Sequence, residues 1–287
     1  QDRKWLREQL RPTLRLYRNL TFAETERDLI VWPEVAVPAL ARQVRGFLDD
    51  VDAEAVRRGV QIYLGVLTHD ATTGQYHNSL IGLGRSHASY HKRHLVPFGE
   101  FFPVPDFARA WMRSAGLPSQ DTLAGRPDQP PLPVGSYAMA PSICYEDAFG
   151  IEQLDFLPEA GLLLNVSNDA WFGDSIAPHQ HLQIARMRSL ETGRPMLRAT
   201  NTGVSAIIDS RGTIVARSPQ FATDVLRAEV EPHTGATPFV RVGNWPVISV
   251  CVLLLVWGGF TIRRNSGDSL LISRLQSVRN AFRRIDK

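Results

Sequence analysis

The sequence predicts a layered α/β domain followed by one apolar helix of membrane-spanning length and a basic tail. Three observations carry that expectation. From residue 29 to residue 215, short apolar, β-prone runs alternate with helical patterns and then with one another, an order that suits a layered α/β domain. Trp245 to Ile262 holds no charged residue, and these eighteen positions are just enough to cross a bilayer. Cys144 directly follows an apolar strand pattern, and the ends of parallel strands are where α/β folds place their chemistry.

The elements follow in order. Gln1-Asp2-Arg3-Lys4-Trp5 is polar, without signal-peptide character, and reads as a point inside a longer protein. Leu6, Leu10, Leu14 and Tyr17 make Trp5 to Leu20 an amphipathic helix. Trp5 is either part of its packed face or an aromatic near a substrate. Asp28 to Trp32 is a short strand stopped by Pro33, and Pro38 opens a helical pattern through Leu48 and Val56. Glu34 thus stands at a strand-to-helix junction, where the plain reading is a surface carboxylate favoured by a helix start. Val60 to Leu67 and Ser79 to Gly84 are strands around a polar turn at Thr68 to His77.

Tyr90 to Glu100 begins as a strand and ends in a Pro/Gly turn. His91 and His94 have a helical metal-site spacing, but Pro97 and Gly99 argue against a helix, so the reading is no metal. Phe101 to Gly135 is irregular and carries Phe101, Phe102, Phe107 and Trp111, with a short helix at Asp106 to Ser114. Loops this long either cover a site or are pinned by their own aromatics. Tyr137 to Ile143 is a buried strand and Ile151 to Glu159 a helical connector. Gly161 to Asn168 is a second buried strand, ending in the loop Asp169 to Asp174. Pro178 to Thr192 is a helix closed by Gly193. Met196 to Thr200 and Val204 to Asp209 are strands, with a turn at Asp209 to Gly212 before Ile214-Val215.

The expected division is therefore residues 1–240 as the catalytic α/β domain, 245–262 as a transmembrane helix and 263–287 as a basic tail. With 287 residues, 44% of them hydrophobic, one sizeable core is within reach. The net charge is +3, but the tail alone carries seven basic and two acidic residues, so the main domain is slightly acidic and its charge does not point to nucleic acid. The tail has the pattern of a basic amphipathic helix suited to an anionic lipid surface, which puts the α/β domain on the opposite face of the membrane. A core helix is the alternative for 245–262, set aside because the run is uniformly apolar and Arg263-Arg264 follow it. The two cysteines, Cys144 and Cys251, cannot build a disulfide framework.

A thiol near its free pKa is only a few per cent ionised at neutral pH and needs a base or a cation. No histidine adjoins Cys144 in sequence, and His179 and His181 sit on a helix with ordinary polar spacing. A carboxylate and a lysine are the other solution. Glu34 and Lys92, like Cys144, lie at or near strand ends, with room for helix-plus-strand units between them. Convergence of the three at one sheet edge is the expectation.

Val31-Trp32-Pro33-Glu34, the run from His91 to Glu100, and Ile143-Cys144-Tyr145-Glu146 resemble the Glu, Lys and Cys motifs of the nitrilase (carbon–nitrogen hydrolase) superfamily. Within it, the lysine motif, Asn165 to Gly173 and Arg198 to Gly203 resemble the bacterial apolipoprotein N-acyltransferases. The resemblance implies a nitrilase-like αββα sandwich above membrane helices, with a first strand and several membrane helices lying before Trp5. It implies Cys144 as nucleophile, Glu34 as general base and Lys92 as stabiliser of the tetrahedral intermediates. Glu100, Tyr145 and Glu146 are implied as supporting residues, with the Tyr145 backbone N–H beside Lys92 in an oxyanion hole. Trp5, Phe98, Phe101, Asn168, Trp171 and Phe172 are candidate substrate contacts. The implied reaction moves an acyl chain from a phospholipid, through a thioester, to the α-amino group of a diacylglyceryl-cysteine on an apolipoprotein. It needs no metal or organic cofactor, and implies a bacterial inner membrane with the catalytic domain on its periplasmic face. The competing readings are a membrane-tethered amidase with water as acceptor, and a non-catalytic anchored interaction module.

Overall fold

The computed structural model describes residues 6–24, 27–105, 107 and 122–261. The chain divides into two compact units, Gln1–Arg241 and Val242–Lys287. In the first unit, β1 (Leu29–Val31), β2 (Val37–Leu40), β3 (Gln61–His69), β4 (Tyr76–Gly84) and β5 (Ser89–His91) form one sheet in the order β1-β3-β4-β5, with β2 also on β3. β1 is parallel to β3, while β3, β4 and β5 are successively antiparallel. β1, β3 and β5 therefore point the same way, and whatever follows β1 and β5 emerges at one edge.

The second sheet runs β11-β10-β9-β8-β7-β6, with β6 (Leu132–Val134), β7 (Tyr137–Ile143), β8 (Leu162–Asn168), β9 (Met196–Asn201), β10 (Ala206–Ile208) and β11 (Ile214–Arg217). Its centre, β7-β8-β9, is parallel. The two-residue period of a strand then sorts the side chains. Tyr63, Leu80 and Tyr90 of the first sheet join Leu132, Met139, Ile143 and Val166 of the second in one core. Ile62, Leu64 and Val66 point the other way, against Leu48, Val51 and Ala55 of α2 (Arg45–Arg58) and Leu10, Leu14 and Tyr17 of α1 (Arg7–Ala23). Leu182 and Ala185 of α3 (Ala177–Thr192) cover the second sheet. The result is the expected helix–sheet–sheet–helix stack. Each fully buried aliphatic side chain stabilises it by roughly 1.5–3 kcal/mol.

Some expectations need correction. The helical pattern from Pro38 starts late: Val37–Leu40 is a short strand, a 3-10 turn covers Ala41–Val44, and α2 begins at Arg45. Burial of Val37 and Ala39 against the first sheet overrides the periodicity. The helical connector expected at Ile151 to Glu159 is a 3-10 helix that ends earlier, Gly150–Phe156, and another 3-10 helix, Cys144–Ala148, precedes it. Leu132–Val134, inside the segment expected to be irregular, is an edge strand on β7. The short helix expected at Asp106 to Ser114 lies, apart from Phe107, outside the described residues.

In the second unit, residues 245–261 are helical, and Trp245, Leu253, Leu255, Trp257 and Phe260 are exposed on them. Among the described residues, no helix is long and apolar enough to cross a membrane. Ile262 and the basic tail lie outside those residues.

Candidate active site

Glu34, Lys92 and Cys144 each leave the C-terminal end of a strand. Glu34 follows β1 through Trp32-Pro33. The Trp32 ring stacks on Tyr17 at 4.9 Å and its indole N–H donates to Thr21 Oγ1 at 2.8 Å, which fixes the turn. Behind it, β3 passes so close that a side chain at Gly65 would come within 2.4 Å of the Pro33 carbonyl and 2.6 Å of Glu34 Cα. From the other sheet, Asn201 Nδ2 donates to the Glu34 carbonyl at 2.7 Å. Lys92 follows β5 and its N–H donates to the Asn78 carbonyl at 2.9 Å. Cys144 follows β7 with φ of +55°, a region that side-chain-bearing residues rarely occupy. Val35, Phe98 and Thr202 share that region, and such strain clusters where a site has to be held open.

The three side chains act on one another. Lys92 is 1% exposed and Glu34 6%, so both charges are buried. Lys92 Nζ lies 3.7 Å from Glu34 Oε1 and 2.7 Å from Glu100 Oε2. One Asn78 amide donates to Glu34 Oε1 at 2.7 Å and to Glu100 Oε1 at 3.1 Å. Two carboxylates thus share one cation. Burial raises the pKa of Glu34; Lys92 lowers it, Glu100 raises it further, and Asn78 lowers it. Burial depresses the pKa of Lys92, but Glu34, Cys144 and Glu100 together more than reverse this. Burial and the Glu34 charge push the Cys144 thiol up to about 12, against the pull of Lys92 and the Ser167 hydroxyl. At neutral pH the resting site holds a protonated thiol beside Glu34.

The supporting residues have distinct places. Glu100 accepts from Lys92 and also from the Val96 N–H at 2.9 Å, tying the lysine to the loop after it. Glu146 is buried and accepts from three backbone amides: Ile143 at 2.7 Å, Arg93 at 2.5 Å and His94 at 3.0 Å. The Tyr90 hydroxyl sits 3.0 Å from both of its oxygens. Glu146 thus rivets the Lys92 turn to the Cys144 turn. The Tyr145 ring is partly exposed, in edge contact with Phe149 at 5.0 Å and His94 at 5.7 Å. Its backbone N–H stands at the start of a 3-10 turn, where such groups lack partners within the turn.

Among the candidate substrate contacts, Phe98, Trp171 and Phe172 are exposed, Trp171 at 85%. Phe101 is half-buried, and its carbonyl accepts from the Phe98 N–H at 2.7 Å. Asn168 donates to Glu34 through its backbone and caps the next turn with its side chain. Trp5 lies outside the described residues.

Sequence reasoning missed Asn78, which sits mid-strand like any alternating polar residue. It also missed a buried cluster behind Cys144: His181, Asp147, Asp169, Arg198 and Asn165. His181 is no base for the thiol: it reaches the Cys144 backbone instead, with Nε2 3.3 Å from the carbonyl oxygen. Among the described residues, no group of three or more His, Cys, Asp or Glu side chains is arranged to hold a metal ion.

Comparison with known proteins puts this geometry in context. The family described as carbon-nitrogen hydrolase matches residues 3–238. The chain is 48% identical over 252 residues to an apolipoprotein N-acyltransferase of Methylococcus capsulatus, covering 88% of this chain and 50% of that one. It is 41% identical over 278 residues to one from Photobacterium profundum, covering 93% and 53%. The chain thus spans about half the length of these relatives. A carbon-nitrogen hydrolase from Helicobacter pylori shares the fold at a TM-score of 0.56 and 16% identity, over 72% of this chain and 80% of that one. An amidase from Nesterenkonia does so at 0.53 and 18%, over 78% and 82%, and a mutant of it carries the acetamide moiety of fluoroacetamide on its active-site cysteine. With a family match that runs through all three strand ends of the site, this chain belongs to the carbon-nitrogen hydrolase family.

Proposed function

We propose that this chain carries the catalytic domain of an N-acyltransferase that moves an acyl chain from a phospholipid to the α-amino group of an apolipoprotein's diacylglyceryl-cysteine. The relatives at 41–48% identity carry that enzyme name. The observation that supports a thioester route most directly is the buried Glu34–Lys92–Cys144 arrangement, with Lys92 Nζ 3.7 Å from Glu34.

In this reading Glu34 takes the thiol proton as Cys144 attacks the acyl ester. A thiol pushed up to about 12 stays neutral until a substrate is present, and a base with a raised pKa is better matched to neutral pH. Lys92 and the Tyr145 N–H stabilise the oxyanion, a kind of contact worth roughly 3 kcal/mol of barrier. Lysophospholipid leaves with the proton returned by Glu34. The lipoprotein amine then attacks the thioester, Glu34 accepts its proton, and the amide departs from the restored thiol. Exposed Phe98, Trp171 and Phe172 supply apolar surface for acyl chains. No metal or organic cofactor enters these steps.

The proposal includes residues 245–262 as a membrane helix, 263–287 as a cytoplasmic basic tail, and the catalytic domain on the periplasmic face of a bacterial inner membrane. The charge-free sequence and the exposed apolar side chains of residues 245–261 support it.

Mass spectrometry of the protein incubated with phospholipid tests the reading. The expected result is an acyl mass on Cys144, released by hydroxylamine and absent in Cys144→Ser and Glu34→Ala. Transfer of that acyl group to an N-terminal diacylglyceryl-cysteine peptide completes the assignment. Loss of the acyl group to water at the same rate with and without peptide would support the amidase reading instead.

A further inference from the structure

Behind the nucleophile lies a closed set of ionisable side chains that the acyl-transfer steps do not use. His181, on α3, places Nδ1 2.9 Å from Asp169 Oδ1 and Nε2 3.0 Å from Asp147 Oδ1. Ionised carboxylates only accept hydrogen bonds, so both ring nitrogens carry protons and the ring is an imidazolium. Arg198 sits on the far side of the same carboxylates, with one terminal nitrogen 3.1 Å from Asp147 Oδ2 and the other 3.4 Å from Asp169 Oδ2. The charged groups facing the imidazole are thus Asp147 from the turn after β7, Asp169 from the turn after β8, and Arg198 from β9. Two cations balance two anions, and all four side chains are buried. Burial and Arg198 depress the pKa of His181, but Asp147 and Asp169 outweigh them and raise it to about 9.

This set touches the reacting residue at one point. His181 Nε2, shared with Asp147, lies 3.3 Å from the Cys144 carbonyl oxygen, and Asn165 Nδ2 lies 3.5 Å from the same oxygen. Cys144 is the residue with φ of +55°. A backbone held there is strained and persists only where its surroundings enforce it. The carbonyl contact is such an enforcement, because the peptide plane that carries the carbonyl also carries the Tyr145 N–H. Turning that carbonyl would turn the Tyr145 N–H, which shares its peptide plane, away from the oxyanion.

We propose that His181, as an imidazolium, is a positioning residue that holds the Cys144 carbonyl and thereby keeps the Tyr145 N–H, on the same peptide plane, aimed at the oxyanion of the acyl ester. The inference rests on the reading of Cys144 as the nucleophile. It adds a cation that acts through the backbone rather than on the substrate, separate from Lys92.

The test is a first-turnover measurement of lysophospholipid release by the full chain in phospholipid, across pH 6.5 to 10.5. Wild type is expected to acylate and to lose rate as pH rises through about 9, with its circular dichroism unchanged. His181→Gln keeps a neutral donor. It is expected to lower the acylation rate about 10- to 100-fold, the scale of a misplaced reacting group, with the KM for phospholipid within twofold and no alkaline limb. A wild type that never acylates sinks the nucleophile reading itself. A wild type that acylates with a rate flat or rising through pH 10.5 overturns the role of the imidazolium while leaving that reading standing. So does a folded His181→Gln with wild-type rate and profile. If His181→Gln does not fold, the wild-type profile alone decides.

Discussion

Removing the Glu146 carboxylate is expected to undo the joint between the two turns of the site. In Glu146→Ala, the amides of Arg93, His94 and Ile143 and the Tyr90 hydroxyl all lose their acceptor. Each buried donor left unpaired costs about 1–3 kcal/mol. Partial relaxation and water entering the space left behind offset part of the sum, leaving a loss of about 4–6 kcal/mol, at the extreme of single substitutions. At roughly 2–4 °C per kcal/mol for a domain of this size, the melting temperature should drop by about 10–20 °C. Glu146→Gln keeps one acceptor oxygen but turns an NH2 group toward donors, so about half that loss is expected. Thermal unfolding followed by circular dichroism measures both, and amide hydrogen exchange at Arg93 and His94 reads the joint locally. A fall of under about 3 °C in Glu146→Ala, with unchanged protection at those two amides, would refute the reasoning.

Three further outcomes follow from the geometry. Glu34→Gln should abolish Cys144 acylation yet raise the melting temperature at pH 8, because it removes a buried charge. A carboxyl whose folded pKa is raised contributes stability that is lost as pH rises through that pKa, so the gain should vanish as pH falls toward the ordinary glutamate value of 4.5; a gain that grows on acidification would contradict this. Gly65→Ala puts a methyl group 2.4 Å from the Pro33 carbonyl, so the Glu34 turn must move. Acylation should fall at least tenfold with a stability loss of about 1–3 kcal/mol, and wild-type kinetics would show the strand has room to spare. Arg194 is buried and donates to the carbonyls of Ala160 at 2.8 Å and Gly235 at 2.6 Å, with Pro158 at 3.3 Å. Arg194→Ala should cost about 3–5 kcal/mol by denaturant unfolding, without altering the pH profile of whatever acylation remains.

The parts of the site that could be read from the sequence are those where chain direction changes abruptly. An apolar run that stops at Pro33 exposes Glu34 as a strand-end residue, and Tyr137 to Ile143 does the same for Cys144. The long parallel strands were legible because they are buried on both faces and hence continuously apolar. Asn78 was hidden because a polar residue in an alternating strand ordinarily faces solvent, whereas here that face meets Lys92 and two carboxylates. Arg198 and Asn165 were hidden for a related reason. They occupy central strands, where their polarity is cancelled by partners on β7, on β8 and in the turns that follow them, all distant in sequence. The short strand at Val37–Leu40 was misread because Pro38 marks a helix start and an edge strand equally well.

The division of labour between the two sheets has a consequence for the life of the nascent chain. Glu34, Asn78 and Lys92 come from the N-terminal sheet, and Cys144 with its backing cluster comes from the C-terminal one. A chain that has made only one of them holds an unremarkable thiol with no base beside it. Chemical competence therefore arrives in a single event, when the sheets dock, and cannot precede the folded state. Under the proposed acyl transfer, that order of events is a safeguard: a half-made molecule has no base beside its thiol with which to attack an ester.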